Sequence, residues 1–206
     1  MKLSIVSTLF LSEDTLRDFY HRTTEVAQNY ANDDYEIILV NDGSPDNSLE
    51  IAIELVEEDD RLRVIDLSRN FGHYKAIMTG LNYAQGDRIF LVDSDLEEEP
   101  EYLNLFSKKM DQDNCDVVFG VQDKRKGKLF ERISGRVFWY IFNLLSGIAL
   151  PANTITARLM KRDYVKALLL HEEKEIFIAG LWYITGFDQQ ECLVTKKSTS
   201  KSSYTF

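Results

Sequence analysis

Short apolar runs alternate with amphipathic stretches through residues 1–120, and this alternation leaves few architectures open. Residues 3–9, 35–40, 62–67, 88–92 and 116–120 read as strands. Residues 12–29, 44–57, 73–84 and 100–110 read as the helices between them. Strands separated by helices of this length form βαβ units, so the predicted class is α/β with a mainly parallel central sheet. Right-handed crossovers bring the C-terminal ends of such strands to one edge. Ligands of open α/β sheets bind at that edge. Ser12, with Glu13 and Asp14 behind it, is expected to cap the first helix, and Ser44-Pro45 to start the second.

A chain of 206 residues with 44% hydrophobic content fits one domain with a substantial core. A net charge of −10 argues against broad nucleic-acid binding. The charge is uneven: Lys124, Arg125, Lys126, Lys128, Arg132 and Arg136 face only Glu131, which suggests a local anionic partner. Cys115 and Cys192 have no metal-ligand spacing and read as reduced thiols. The N-terminus runs straight into a strand pattern without signal-peptide features, and no apolar run is long enough to span a bilayer, so the chain is expected to be soluble.

Beyond residue 120 the pattern changes. A basic connector leads to a predicted amphipathic helix over 129–146, with Leu129, Ile133, Val137, Tyr140, Ile141 and Leu144 on one face. Lys128, Arg132, Arg136 and Asn143 fall on the other face, near Trp139. The helix either packs on the domain or lies in the plane of a membrane surface, with Arg132 and Arg136 meeting anionic headgroups. Trp139 and the flanking charge favour the membrane surface. A strand start before a helix from 161, a helix over 172–182 and a last strand over 187–195 complete the pattern.

Several strand ends carry polar side chains suited to chemistry. The run Ile89-Phe90-Leu91-Val92 ends in Asp93-Ser94-Asp95, and two hard oxygen ligands there suit Mg²⁺ or Mn²⁺ held against a diphosphate. The competing reading is an ordinary loop or helix cap. Asp42, in Val40-Asn41-Asp42-Gly43-Ser44, can accept from a pyrimidine imide or a ribose hydroxyl, or can simply form an Asp-Gly turn. Arg69 and Lys75 flank a turn running into a helix and offer charge for phosphate, against a plain basic surface turn. His73, between them, is assigned no role. Glu97, Glu98, Glu99 and Glu101 read mostly as a solvated acidic face at the start of the next helix, with some of them able to support the metal ligands from behind.

The ordered set Val40-Asn41-Asp42-Gly43-Ser44, Arg69-Asn70-Phe71-Gly72, Gly80-Leu81, Gly86-Asp87 and Val92-Asp93-Ser94-Asp95-Leu96 resembles family-2 glycosyltransferases. Gly120-Val121, the basic connector, the amphipathic helix, Arg158-Leu159-Met160 and Lys201-Ser202-Ser203-Tyr204 resemble the polyprenyl-phosphate sugar transferase branch, which includes dolichol-phosphate mannose synthase. The resemblance implies a GT-A fold: a Rossmann-like nucleotide-sugar half, residues 1–120, and an acceptor-binding half, residues 121–206, in one domain. It implies a UDP-, GDP- or dTDP-sugar donor and Mg²⁺ or Mn²⁺ on Asp93 and Asp95. By position, Thr8, Phe10 and Glu13 fall at the loop for base and ribose, Asp42 at the base-contacting acid, and Arg69, Lys75 and Ser94 beside the phosphates. Arg158 falls where a basic side chain meets the phosphates or acceptor, and Lys201 and Tyr204 at the acceptor phosphate. Thr156 stands where such proteins often carry an Asp, and the first loop, Ser7-Thr8-Leu9-Phe10, lacks the usual Pro and Tyr.

The implied reaction is an inverting transfer to a lipid phosphate or a glycan, in cell-surface polysaccharide or glycoconjugate synthesis. A lipid phosphate needs no protein base, whereas a sugar hydroxyl does. Glu175 is then the candidate, with a charged helix start as its competing reading. The expected setting is the cytoplasmic face of a membrane, with homo-oligomerisation left open. A non-catalytic nucleotide-sugar-binding subunit is the alternative, and a nucleotidyltransferase is disfavoured by the lack of a Gly-rich phosphate loop.

Overall fold

The computed structural model describes residues 1–122, 153–171 and 177–195. The expected helix over 129–146, the basic connector, Glu175, Lys201 and Tyr204 lie outside these described residues. The described strands are β1 (Leu3–Leu9), β2 (Tyr35–Asn41), β3 (Leu62–Asp66), β4 (Arg88–Leu91), β5 (Val117–Gln122), β6 (Thr154–Lys161) and β7 (Gln189–Val194). The described helices are α1 (Leu16–Ala31), α2 (Ser48–Glu58), α3 (His73–Tyr83), α4 (Tyr102–Asp113), α5 (Arg162–Leu168) and α6 (Ile178–Ile184). None is long and apolar enough to cross a membrane.

The seven strands form one mixed sheet in the order β3-β2-β1-β4-β6-β5-β7. β1 lies between β2 and β4, parallel to both, and all seven of its residues are buried. A strand covered on both faces carries apolar residues on both, which is why Leu3, Ile5, Val6 and Leu9 do not alternate, and the polar residues Ser4, Ser7 and Thr8 are buried among them. β6 runs antiparallel to β4 and β5. The expectation that all strands end at one edge therefore fails for β6, which begins at the edge where β4 and β5 end. β5 spans residue 120, and the sheet continues across it into β6 and β7.

Side-chain alternation splits the core in two. Ile5, Ile37, Leu39, Phe90, Val118 and Leu159 face α1, α2 and α4, which contribute Phe19, Leu55 and Phe106. Val6, Ile38, Val40, Leu91, Val117 and Met160 face α3, α5 and α6, which contribute Ile77, Tyr164 and Leu181. The buried positions of α1 include Leu16, Phe19, Tyr20, Thr23, Val26 and Ala27, the stripe expected of a helix lying on a sheet.

Two helix starts differ from expectation. α1 begins after Thr15, and Ser12 does not cap it: the Ser12 hydroxyl accepts from the Phe10 amide and shares a hydrogen bond with Ser94. α2 begins at Ser48 rather than Pro45, because Asp46 gathers the Ser44 hydroxyl and the Ser48 amide and hydroxyl into a turn.

Gly80 sets how closely α3 approaches the sheet. A Cβ there would lie 2.5 Å from Val6 Cγ1 and 3.0 Å from Val40 Cγ2, and both are stiff branched side chains in the core. Gly80→Val should lower stability by about 1–3 kcal/mol through overpacking, more than the helix-propensity gain over glycine, which is under about 1 kcal/mol. Urea unfolding checks this: the midpoint should fall at constant slope, and an unchanged midpoint would show that α3 is not packed this tightly.

Candidate functional site

The alternation that splits the core also aims the polar strand ends. Thr8 lies two residues beyond Val6, Asp42 two beyond Val40, and Asp93 two beyond Leu91, so all three leave the sheet toward α3. Arg158 lies two residues before Met160 in β6, opposite Leu91 and Phe119, and points to the same side. The sheet thus brings Thr8, Asp42, Asp93 and Arg158 together from four strands.

Asp42 is fully buried. Its Oδ1 accepts from the Phe71 amide at 2.7 Å and its Oδ2 from the Gly72 amide at 3.1 Å. The carboxylate therefore fixes the turn that carries Arg69 and starts α3. Gly43 sits at φ +61°, and a Cβ there would lie 2.5 Å from the backbone of Arg69 and Asn70, so the two loops touch as only glycine allows. Arg69 is exposed, with its guanidinium over the Phe71 ring at 4.6 Å, and Lys75 is half-buried in the first turn of α3.

The first loop is tied down from both sides. Ser94, nearly buried, donates its hydroxyl to the Thr8 carbonyl at 2.8 Å, and its own carbonyl accepts from the Thr15 hydroxyl. Ser94 thus locks the Asp93-Ser94-Asp95 segment to the first loop. Glu13 accepts from the amide and side chain of Asn47, while Asp46 accepts from the Glu13 amide. Burial works against the Asp46 charge, yet the Ser44 and Ser48 hydroxyls and these amides hold its carboxyl below the usual range. Phe10 is half-buried at the head of this loop.

Asp93 and Asp95 differ in their surroundings. Asp93 Oδ1 is buried and makes no hydrogen bond among the described residues; His73 Nε2 stands 3.5 Å away. Asp95 Oδ1 accepts from the Glu97 amide at 2.9 Å, across a turn in which Leu96 takes φ +59°. A left-handed leucine costs on the order of 1–3 kcal/mol, and such conformations cluster at binding sites. An orphaned carboxylate oxygen beside a second, half-exposed carboxylate fits a hard divalent cation. Among the described residues no group of three or more His, Cys, Asp or Glu side chains could hold a metal. The remaining ligands would come from substrate and water, as for Mg²⁺ at phosphates.

His73 and Glu98 are the residues that sequence reasoning passed over. The imidazole Nδ1 lies 3.1 Å from the Thr8 hydroxyl while Nε2 faces Asp93. The one sequence signal was its place directly after the turn at a helix start. Glu98, read as part of a solvated face, is 1% exposed and accepts from the Thr156 and Ala157 amides at 3.1 and 2.7 Å. Nothing in the sequence separates it from Glu97 and Glu99. Arg158 is also buried, stacked on Trp182 and bonded to the carbonyls of Thr156 and Ile155. Burial pushes its guanidinium down to about 9, against the opposing pull of Tyr164, Glu98 and Asp93, so it stays charged at neutral pH. It lines a cavity of about 530 Å³ with Phe119, Thr154, Trp182, Tyr183 and Phe187. The Tyr74 hydroxyl is pushed up by burial and then by the Asp93 charge.

Asp42→Ala should cost about 1–3 kcal/mol by leaving two amides without their acceptor, and Asp42→Asn should cost less, keeping one acceptor oxygen. Amide hydrogen exchange at Phe71 and Gly72 checks this: protection should fall in the same order, and unchanged protection in Asp42→Ala would rule the tether out.

The family model described as Glycosyl transferase family 2 matches residues 4–169. A protein of Mycobacterium tuberculosis (strain CDC 1551 / Oshkosh), described as "Putative glycosyltransferases", is 46% identical over 206 residues, which is 100% of this chain. The chain spans 60% of that relative's length. Among solved structures, S. aureus TarS (residues 1–349) in complex with UDP-GlcNAc shares the fold with a TM-score of 0.64 at 18% identity, over 100% of this chain and 62% of TarS. The mannosyltransferase PcManGT from Pyrobaculum calidifontis, in complex with GDP-Man and Mn²⁺, gives 0.64 at 15% identity, over 94% of this chain and 56% of its own. The seven-stranded mixed sheet is thus the GT-A fold of these neighbours. With the family model spanning most of the sequence, this chain belongs to glycosyl transferase family 2.

Proposed function

We propose that this chain carries the catalytic site of a metal-dependent, inverting glycosyltransferase that moves a sugar from a nucleotide diphosphate sugar to a polyprenyl-phosphate or other lipid-linked or glycan acceptor. The observation that carries this reading is the meeting of Thr8, Asp42, Asp93 and Asp95 at one sheet edge, with a buried oxygen of Asp93 left without a hydrogen bond among the described residues. The neighbours crystallised with UDP-GlcNAc and with GDP-Man and Mn²⁺ support it.

The residues divide the work. Thr8, Phe10 and Glu13 border the loop for base and ribose, and Asp42 keeps Arg69 and Lys75 beside it for the phosphates. Asp93 and Asp95 would hold a divalent cation, and the ion would supply positive charge to the departing diphosphate. In an inverting transfer the acceptor oxygen attacks from the face opposite the nucleotide. Arg158 supplies a fixed buried charge on the acceptor side, where its cavity joins one cation to aromatic walls. That pairing suits an anionic group on an apolar body, so a lipid phosphate is the acceptor this reading favours. Such an acceptor arrives ionised, and no carboxylate is then required as a base at the position of Thr156. The setting that follows is a membrane surface, in cell-surface glycan assembly.

The test is a panel of UDP-, GDP- and dTDP-sugars assayed for hydrolysis and transfer with Mn²⁺ or Mg²⁺. One donor should turn over only with metal, and Asp95→Ala should reduce that turnover at least about a hundredfold. Metal-independent binding of a nucleotide sugar with no turnover of any donor would point instead to a non-catalytic binding subunit.

A further inference from the structure

The buried oxygen of Asp93 makes no hydrogen bond among the described residues, and Nε2 of His73 stands 3.5 Å from it. The other ring nitrogen, Nδ1, lies 3.1 Å from the Thr8 hydroxyl. Both distances follow from backbone that is held elsewhere. Asp42 binds the two amides that immediately precede His73, and Ser94 binds the carbonyl of Thr8 from within the Asp-x-Asp motif. The imidazole therefore stands between two segments whose positions are already fixed, and its side chain is mostly buried.

The chemistry of the three groups restricts the proton arrangement. A carboxylate oxygen accepts, so a nitrogen that hydrogen-bonds to it carries the hydrogen. The Thr8 hydroxyl can either donate or accept, so it suits whichever state Nδ1 takes. A neutral imidazole with hydrogen on Nε2 satisfies both ends: Thr8 donates to Nδ1, and Nε2–H points at Asp93. The gap of 3.5 Å is longer than a closed hydrogen bond. Contacts of this kind are often loose in ligand-free sites and tighten on binding.

We propose that His73 is the positioning residue for Asp93: its Nε2–H holds the carboxylate in the orientation that receives the cation, and Thr8 sets the ring, so that the nucleotide loop and the metal motif are joined through one imidazole. This rests on the reading of Asp93 and Asp95 as cation ligands. Groups that orient a metal-binding side chain this way commonly govern metal affinity without touching the ion. Leucine at 73 fills the space but donates nothing, whereas glutamine places an amide N–H near the position of Nε2.

Two measurements on the whole protein test the link. In ¹⁵N spectra at neutral pH, His73 Nε2 should carry its proton, and its signal should move in Thr8→Val and in Asp93→Ala. Mn²⁺ binding followed by electron paramagnetic resonance, with UDP or GDP present, should weaken about tenfold to a hundredfold in His73→Leu. His73→Gln should recover most of that loss, while all variants melt near the wild-type temperature. A bare Nε2, wild-type Mn²⁺ affinity in His73→Leu, or a glutamine variant no better than leucine would each overturn the proposal. If the wild-type protein takes up no Mn²⁺ with either nucleotide, the metal reading falls, and the nitrogen spectrum still decides whether Thr8, His73 and Asp93 are linked.

Discussion

The grip of Asp42 on the Phe71 and Gly72 amides is the contact on which the rest of the site depends. A buried carboxylate is stable only when its charge is met by hydrogen bonds. Here the partners are backbone groups at the start of a helix, so satisfying the charge also fixes where α3 begins. That start places His73 beside Thr8 and Asp93 and holds the Arg69 turn against Gly43. Glycine at 80 then lets the same helix rest close on β1 and β2. Ser94 repeats the device on the other side, tying the Asp-x-Asp turn to the first loop through a buried hydroxyl. Three strand ends and one helix start become a single rigid edge.

The β6 side of the sheet is organised by different means. β6 enters the sheet against the direction of β4 and β5, and its Thr156 and Ala157 amides are held by the buried Glu98 carboxylate. Arg158 follows within the strand, where Leu91 and Phe119 flank it across the ladder. Its charge is fixed by backbone carbonyls, by the face of Trp182 and by the surrounding carboxylates. A cation held so firmly is preorganised for an incoming anion, since little reordering accompanies binding.

How much of this was legible in the sequence follows from where the signals lie. The strands of the first half could be read because strands buried on both faces are mostly apolar, and the acids just beyond their ends stood out against that background. The convergence of Asp42 with Asp93 and Asp95 followed from βαβ handedness alone. Helix starts were less legible: Ser12 and Ser44 carry a cap's chemistry, but Ser94 claims the first hydroxyl from across the fold and Asp46 the second within the same turn. The direction of β6 had no local signal, because an antiparallel insertion is decided by chain reversal and not by side-chain pattern. His73 was passed over because a lone histidine is informative only once its neighbours are known. Glu98 looked like its neighbours Glu97 and Glu99, and only its burial and its bonds to the Thr156 and Ala157 amides distinguish it.

Asp93 and Asp95 are proposed to form the cation site at the edge where the first loop, the Asp42 tether and α3 meet. Crystals grown with Mn²⁺ and UDP or GDP, measured at the manganese absorption edge, test it most directly. The account predicts one anomalous peak in contact with the Asp95 carboxylate and beside Asp93, with the diphosphate against it. A manganese peak elsewhere, or a nucleotide bound with no metal at these carboxylates, would contradict it.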